Sequence, residues 1–519
     1  MNRQQTWWLA AALVALCLRP ACAQVPDGVA DEGMAADKHE KAAPAEKAPK
    51  AEDHVVTTQH RAVIGGQEIR YTATTGTLVL KEEDGTPRAS IFFTAYTRDG
   101  VRDLGKRPIT YTFNGGPGSS SVWLHLGAFG PRRVALEDEG WAPPPPYRLV
   151  DNGESLLDVT DLVFIDPVTT GYSRATPGND PKKYYDVRRD AETVGEFIRL
   201  YTTRFGRWSS PKFLAGESYG TTRAARLSNY LQSRLGIYLN GVVLLSSILN
   251  FQTADFAVGN DLPYPLFLPT YTATAWYHKK LPPDLQATGL RKAVEESERF
   301  AAGDYTLALM QGNTLTPEQW NDVAAKVARY TGLSPEFVKQ ANLRPGIQAF
   351  VKELMRDQRI TVGRLDSRFQ GRDRDAAGPR DEFDPSYAAI QGPFTAVLND
   401  YVRQDLGFKS DLPYEILTDR TRPWSFDNDN SYLNVAEDLR RALTQNPALK
   451  VFVGASYYDL ATPMFAAEYT FNHIGFEPDS RRRVSFHYFE AGHMMYIRRP
   501  DREQLKKDLA AFITANGGS

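Results

Sequence analysis

Lys212-Phe213-Leu214-Ala215-Gly216-Glu217-Ser218-Tyr219-Gly220-Thr221 is the stretch on which the chain is organised. Lys212 to Ala215 reads as a short buried strand. Thr221 to Leu235 carries helical spacing, with Leu227, Tyr230 and Leu231 on one face. Between them lies Gly-Glu-Ser-Tyr-Gly. A strand that reverses into a helix within five residues leaves no room for side chains two places before and after its centre, and Gly216 and Gly220 meet that need. The turn holds the Ser218 hydroxyl out at the edge of the sheet, near the positive end of the following helix.

Outward from this turn the chain alternates. Leu162-Val163-Phe164-Ile165-Asp166 and Gly241-Val242-Val243-Leu244-Leu245 read as central strands, and Tyr185 to Phe205 as the helix between. Alternation of this kind marks a parallel sheet with crossover helices. Upstream, Ile69–Ala73, Gly76–Leu80, Ile91–Tyr96 and Ile109–Phe113 are strand-like, with Asp84-Gly85 and Asp99-Gly100 as turns, which predicts an antiparallel opening up to Asn114. From 255 to 430 helical start signals replace the alternation. Thr316-Pro317-Glu318-Gln319 fits a capping box, and Ser334-Pro335-Glu336 repeats the cap-plus-Pro signal after Gly332. Strand patterns return at Lys450–Val453 and Val484–Phe489, followed by a last helix from Arg502 to Ala515. The expected fold is an α/β-hydrolase: a mostly parallel central sheet, antiparallel N-terminal strands and a helical cap insertion. Its core occupies 55–254 and 431–519, and the insertion 255–430 roofs the site.

Composition excludes several classes. With 42% hydrophobic and 24% charged residues, the 519-residue chain can bury a sizeable core. A net charge of -2 without a Lys/Arg stripe argues against a nucleic-acid partner, and no apolar run beyond the N-terminus spans a bilayer. Residues 1–23 read as a secretory signal peptide: Arg3, an apolar stretch from Trp7 to Leu18, and Ala21-Cys22-Ala23 as the cleavage site. Export to a periplasm or to the exterior follows. Lipid anchoring at Cys22 is the rival reading, which Arg19-Pro20-Ala21 disfavours. Residues 24–54, rich in Ala, Pro, Lys and Glu, read as a disordered tether. Both cysteines, Cys17 and Cys22, fall in the leader, so the mature chain is expected to lack disulfides and thiol chemistry.

A serine hydroxyl needs a histidine to take its proton and a carboxylate to orient that histidine. In this fold the acid follows a late strand and the histidine follows the last one. Asp459 and His493 stand at those places; the other seven histidines lie in the tether, before the elbow, in the insertion, in a helix or inside a strand. None shows H-E-x-x-H spacing, so neither a catalytic metal nor another cofactor is expected. For the oxyanion, the amide of Tyr219 supplies one donor, and Asn114-Gly115-Gly116-Pro117-Gly118, directly after a strand, is the source of the second.

Together these stretches resemble the serine carboxypeptidase family, as a bacterial-type member without disulfides. The resemblance rests on Asn114-Gly-Gly-Pro-Gly-Ser-Ser, Asp166-Pro167 to Gly171-Tyr172-Ser173, the elbow, Asp459 with Ala461-Thr462-Pro463, and Gly492-His493-Met494. It implies release of C-terminal residues from peptides bearing a free carboxylate, best at acidic pH. Ser218 is then the nucleophile, His493 the base and later acid, Asp459 the orienting carboxylate, and Gly116 and Tyr219 the oxyanion donors. Asn114, Gly115 and a protonated Glu217 would bind the terminal carboxylate. Three positions depart from the pattern. Ala128 stands where a second Glu is usual, Ser119 replaces a common Cys, and the loop carrying Asp459 is longer than the compact form. An esterase or acyltransferase on the same scaffold, and a non-catalytic binding protein, are the alternatives.

Overall fold

The computed structural model describes residues 51–426 and 429–518, so the expected leader and most of the expected tether lie outside the described residues. The first strand begins at His54, and just before it Asp53 accepts a hydrogen bond from the Val79 amide (2.7 Å).

Three long strands, β1 (His54–Ile64), β2 (Gln67–Lys81) and β3 (Pro87–Arg98), form an antiparallel meander. They lead into β4 (Ile109–Phe113) and β5 (Asp161–Ile165), helix α1 (Val187–Arg204), strand β6 (Lys212–Glu217) and helix α2 (Tyr219–Leu235). Strand β7 (Gly241–Leu245) precedes the helical insertion. Strands β8 (Lys450–Ser456) and β9 (Val484–Phe489) follow it. Among the described residues ten strands share one sheet, ordered β1-β2-β3-β5-β4-β6-β7-β8-β9 with Arg174–Ala175 beside β3.

The opening is less antiparallel than the sequence pattern suggests. β4 does not extend the meander; it lies parallel between β5 and β6. Its five residues are all buried, so the alternation that identifies a half-exposed strand is missing and only the non-local partners reveal the direction. Likewise Ile69–Ala73 and Gly76–Leu80 belong to one continuous strand.

The order of strands creates the site. The chain leaves β4 towards β5 on one side, then returns to place β6 on the other. At such a reversal the connections diverge and leave a crevice at the carboxyl ends of the strands. Phe113 and Gly216 are register partners there, which brings Asn114 alongside the elbow.

Both faces of the sheet are covered. Phe213, Ala215, Val243, Leu245 and Phe452 point into one core; Leu214, Val242, Leu244, Val451 and Val453 point into the other, against α1 and α2. Each fully buried side chain of this kind contributes roughly 1.5–3 kcal/mol. That burial holds the fold together without cysteine, since both cysteines of the chain precede the described residues.

The insertion carries its own core, built from α3 (Pro263–Tyr277), α4 (Leu290–Phe300), α5 (Pro317–Thr331) and the segments around Phe350. Both sequence start signals form as expected. Thr316 and Gln319 close a capping box, with Gly332 ending that helix in a left-handed conformation, and Ser334 caps the next. Helix α6 (Pro385–Gln404) instead packs on the main core through Ile390, Phe394 and Val397. No described helix is long and apolar enough to cross a membrane.

Candidate active site

Ser218 is the point where β6 becomes α2, with φ 59° and ψ -132°. A positive φ in a residue bearing a Cβ costs on the order of 1–3 kcal/mol, and surrounding structure must hold it. Here the Ser218 amide donates to Leu245 O (3.0 Å) and its carbonyl accepts from the Thr221 amide (2.8 Å). Gly216 is required because a methyl group on it would sit 2.2 Å from Gly220 O. Gly115 is required because a methyl group there would meet the Tyr219 amide nitrogen at 2.4 Å. The glycine-rich turn and the elbow therefore lie backbone to backbone. Behind them the buried Arg223 guanidinium pairs with Asp190 (2.8 Å) and donates to Asn114 O (2.6 Å), fixing the turn from below.

The loops after β8 and β9 are laced together. The Tyr457 and Tyr458 amides donate to Phe489 O and Ala491 O, each at 3.0 Å. This places the His493 Nδ1 2.8 Å from Asp459 Oδ2, with His493 5% exposed and Asp459 fully buried. Asp459 Oδ1 accepts from the Ala461 and Thr462 amides (2.8 and 3.0 Å), and Oδ2 also accepts from the Thr462 hydroxyl (2.7 Å). Every partner of this carboxylate is a donor, so Nδ1 carries the imidazole hydrogen and Nε2 is left as an acceptor. Burial alone would lower the His493 pKa; the charge and hydrogen bond of Asp459, helped by Glu217, outweigh it and leave the pKa raised.

Ser218 and His493 line one cavity of about 910 Å³, together with Asn114, Gly115, Gly116 and Glu217. No hydrogen bond joins the Ser218 hydroxyl to the imidazole among the described residues; such contacts commonly tighten only once substrate is in place. The Tyr219 amide opens α2 and is one of the donors that helix geometry leaves unpaired, while its phenol is buried away behind the elbow.

Glu217 is 3% exposed. Its Oε1 accepts from Asn114 Nδ2 (2.9 Å), and its Oε2 is buried without a well-formed partner. Burial raises its pKa to about 7, against lowering by the His493 charge, the Tyr496 hydroxyl and the Asn114 amide. On its other side Asn114 Oδ1 accepts from the Leu124 amide (3.1 Å). Ala128 is buried in the turn Leu124–Phe129 and does not reach the cavity. Among the described residues no group of three or more His, Cys, Asp or Glu is placed to hold a metal.

Several contributors are invisible in the sequence pattern because they come from the insertion. Leu365 O accepts the His493 amide (2.6 Å). Leu460, directly after Asp459, is buried in the core of the insertion, and its amide donates to Arg364 O (3.1 Å). The long acid loop is thus the part of the sheet edge that packs against the helical insertion. Thr462, within the quoted Ala-Thr-Pro, contacts both Asp459 and His493 (3.2 Å to Nδ1). Ser119, where a Cys is usual, accepts from the Trp123 indole (3.0 Å) and donates to backbone carbonyls, so hydrogen bonds take over at that corner. Trp123, Tyr387, Ile390, Trp424 and Phe426 give the cavity its apolar walls.

A family model described as serine carboxypeptidase matches residues 68–499. Over 165 residues the chain is 29% identical to serine carboxypeptidase-like 33 of Arabidopsis thaliana, covering 30% of each. Over 161 residues it is 27% identical to the pheromone-processing carboxypeptidase KEX1 of Cryptococcus gattii, covering 31% of this chain and 21% of that one. The matches therefore span less than a third of these curated relatives. The solved structure of Kex1Δp, a prohormone-processing carboxypeptidase from Saccharomyces cerevisiae, superimposes with a TM-score of 0.56 at 15% identity. It covers 86% of this chain and 91% of that one, a likeness of fold.

Proposed function

The chain belongs to the serine carboxypeptidase family, and on that premise we propose that it releases C-terminal residues from peptides through an acyl-enzyme on Ser218. The observation that carries this reading is the buried Asp459–His493 hydrogen bond, opening onto the cavity that Ser218 and Glu217 also line. His493 Nε2 takes the Ser218 proton as Oγ attacks the scissile carbonyl, and Asp459 stabilises the imidazolium that results. The amides of Tyr219 and Gly116 receive the charge that develops on the carbonyl oxygen. The imidazolium then protonates the leaving amine, and water repeats the sequence to free Ser218. The helical block 255–430 serves as the cap that walls the pocket, and residues 1–23 direct export; both belong to the same proposal.

Glu217 links the reading to pH. With its pKa at about 7, the side chain is mostly protonated below neutrality and donates to a substrate carboxylate. Above neutrality it ionises and repels that carboxylate. His493 works in the opposite sense, because its raised pKa removes the free base as the pH falls. We expect kcat/KM for an N-blocked dipeptide with a free carboxylate to decline as pH rises through about 7, more steeply than for the matching ester. Glu217→Gln, which keeps a donor at every pH, removes that decline. Steady-state profiles on both substrates check this. Ester turnover without peptide turnover would contradict the carboxypeptidase reading. It would favour the second reading, an esterase or acyltransferase, to which Ala128 in place of a second acid lends support.

A further inference from the structure

The substrate carboxylate poses a charge problem that the groups named so far do not solve. A neutral Glu217, the second Nδ2 hydrogen of Asn114 (the first is donated to Glu217) and the Gly115 amide are all uncharged donors. A carboxylate drawn into a largely apolar cavity with uncharged donors alone keeps its charge without a counter-ion, which is costly.

Two arginines, Arg364 and Arg422, also line the cavity. Arg422 is paired with Asp419 (2.9 Å). Arg364 has no ion pair and no side-chain hydrogen bond among the described residues, although its backbone is firmly held. Its amide donates to Asp384 Oδ1 (3.1 Å), and its carbonyl accepts from the Leu460 amide. Asp384, the nearest cavity carboxylate in the chain, is already occupied. It caps α6, accepting from the Arg364, Leu365 and Ser386 amides and the Ser386 hydroxyl. Asp381 feels the Arg364 charge as well, without forming a contact ion pair. The next residue, Leu365, accepts the His493 amide, so Arg364 projects from a backbone joined directly to the catalytic loop. Its charge reaches the imidazole, where it lowers the pKa. Arg364 is exposed on the cavity wall, so an unpaired cation stands where a substrate carboxylate could meet it.

We propose that Arg364 binds the free carboxylate of the residue being released, supplying from the cap the positive charge that Glu217 cannot. This rests on the carboxypeptidase reading and adds to it a specificity-determining residue. A guanidinium meets a carboxylate through two parallel N–H donors, which fixes orientation as well as charge.

The test compares the wild type with Arg364→Ala and Arg364→Lys on an N-blocked dipeptide and on its C-terminal amide. Arg364→Ala is expected to lower kcat/KM on the free acid by about 10- to 100-fold, chiefly through KM, in line with loss of a charged hydrogen-bond pair. Its loss on the amide is expected to be smaller by about 10-fold or more, so the preference for acid over amide shrinks. Arg364→Lys recovers part of that preference, because it keeps the charge without the fork. An equal loss on both substrates, or an unchanged preference, overturns the assignment while leaving the carboxypeptidase reading in place. A wild type that releases nothing from the free acid overturns both.

Discussion

Replacing Ser218 with Ala lowers the turnover of a blocked dipeptide by about a million-fold, to the small residue that binding and oxyanion donors supply without a nucleophile. The substitution removes one oxygen from a half-exposed position and leaves the backbone restraints in place, since these run through the Ser218 amide and carbonyl. Ala tolerates the φ of 59° no better and no worse than Ser, so the unfolding transition is expected to stay where it is. Steady-state kinetics with a thermal melt on the same preparation separate the two effects. Activity within about 100-fold of wild type would mean that another group forms the acyl-enzyme.

Replacing Asp459 with Asn is expected to cost about 10,000-fold in kcat with little change in KM. Oδ1 receives two backbone amides, so the amide oxygen of an Asn takes that place. Its NH₂ group then faces His493 Nδ1, a donor against a donor. The imidazole escapes the clash by moving its hydrogen to Nε2, and in that tautomer it cannot accept a proton from Ser218. Turning the Asn over would set NH₂ against the Ala461 and Thr462 amides, so the side chain has no harmless orientation. Measuring kcat for Asp459→Asn beside Ser218→Ala checks the assignment, and a loss below about 10-fold would remove Asp459 from the role.

How much of this was legible in the sequence depends on how local each feature is. The elbow is legible because strand, turn and helix occupy consecutive residues and the close approach of Gly216 to Gly220 is set within five positions. His493 is legible because the β9 pattern ends four residues before it. The place of β4 is not legible: its pairing with β5 and β6 depends on residues about 50 and 100 positions away, and a strand buried on both faces carries no alternation to orient it. The same holds for what the helical insertion brings. Leu365 accepts the His493 amide and Leu460 sits in the core of the insertion, yet neither a leucine carbonyl nor an apolar side chain in a loop signals such a role. Arg364 is one of many surface-type arginines until the fold sets it on the wall of the cavity that His493 also lines. Glu217 lies between: its position is given by the motif, whereas its raised pKa comes from burial, which only the packed structure supplies.

The most direct measurement is mass spectrometry of a linear peptide of about ten residues, incubated with the enzyme near neutral and at acidic pH, with the same peptide amidated at its C-terminus alongside. Stepwise loss of single residues from the free C-terminus is expected, faster at acidic pH, strongly reduced for the amide and absent with Ser218→Ala. Internal fragments, or equal cleavage of acid and amide, would contradict the carboxypeptidase reading.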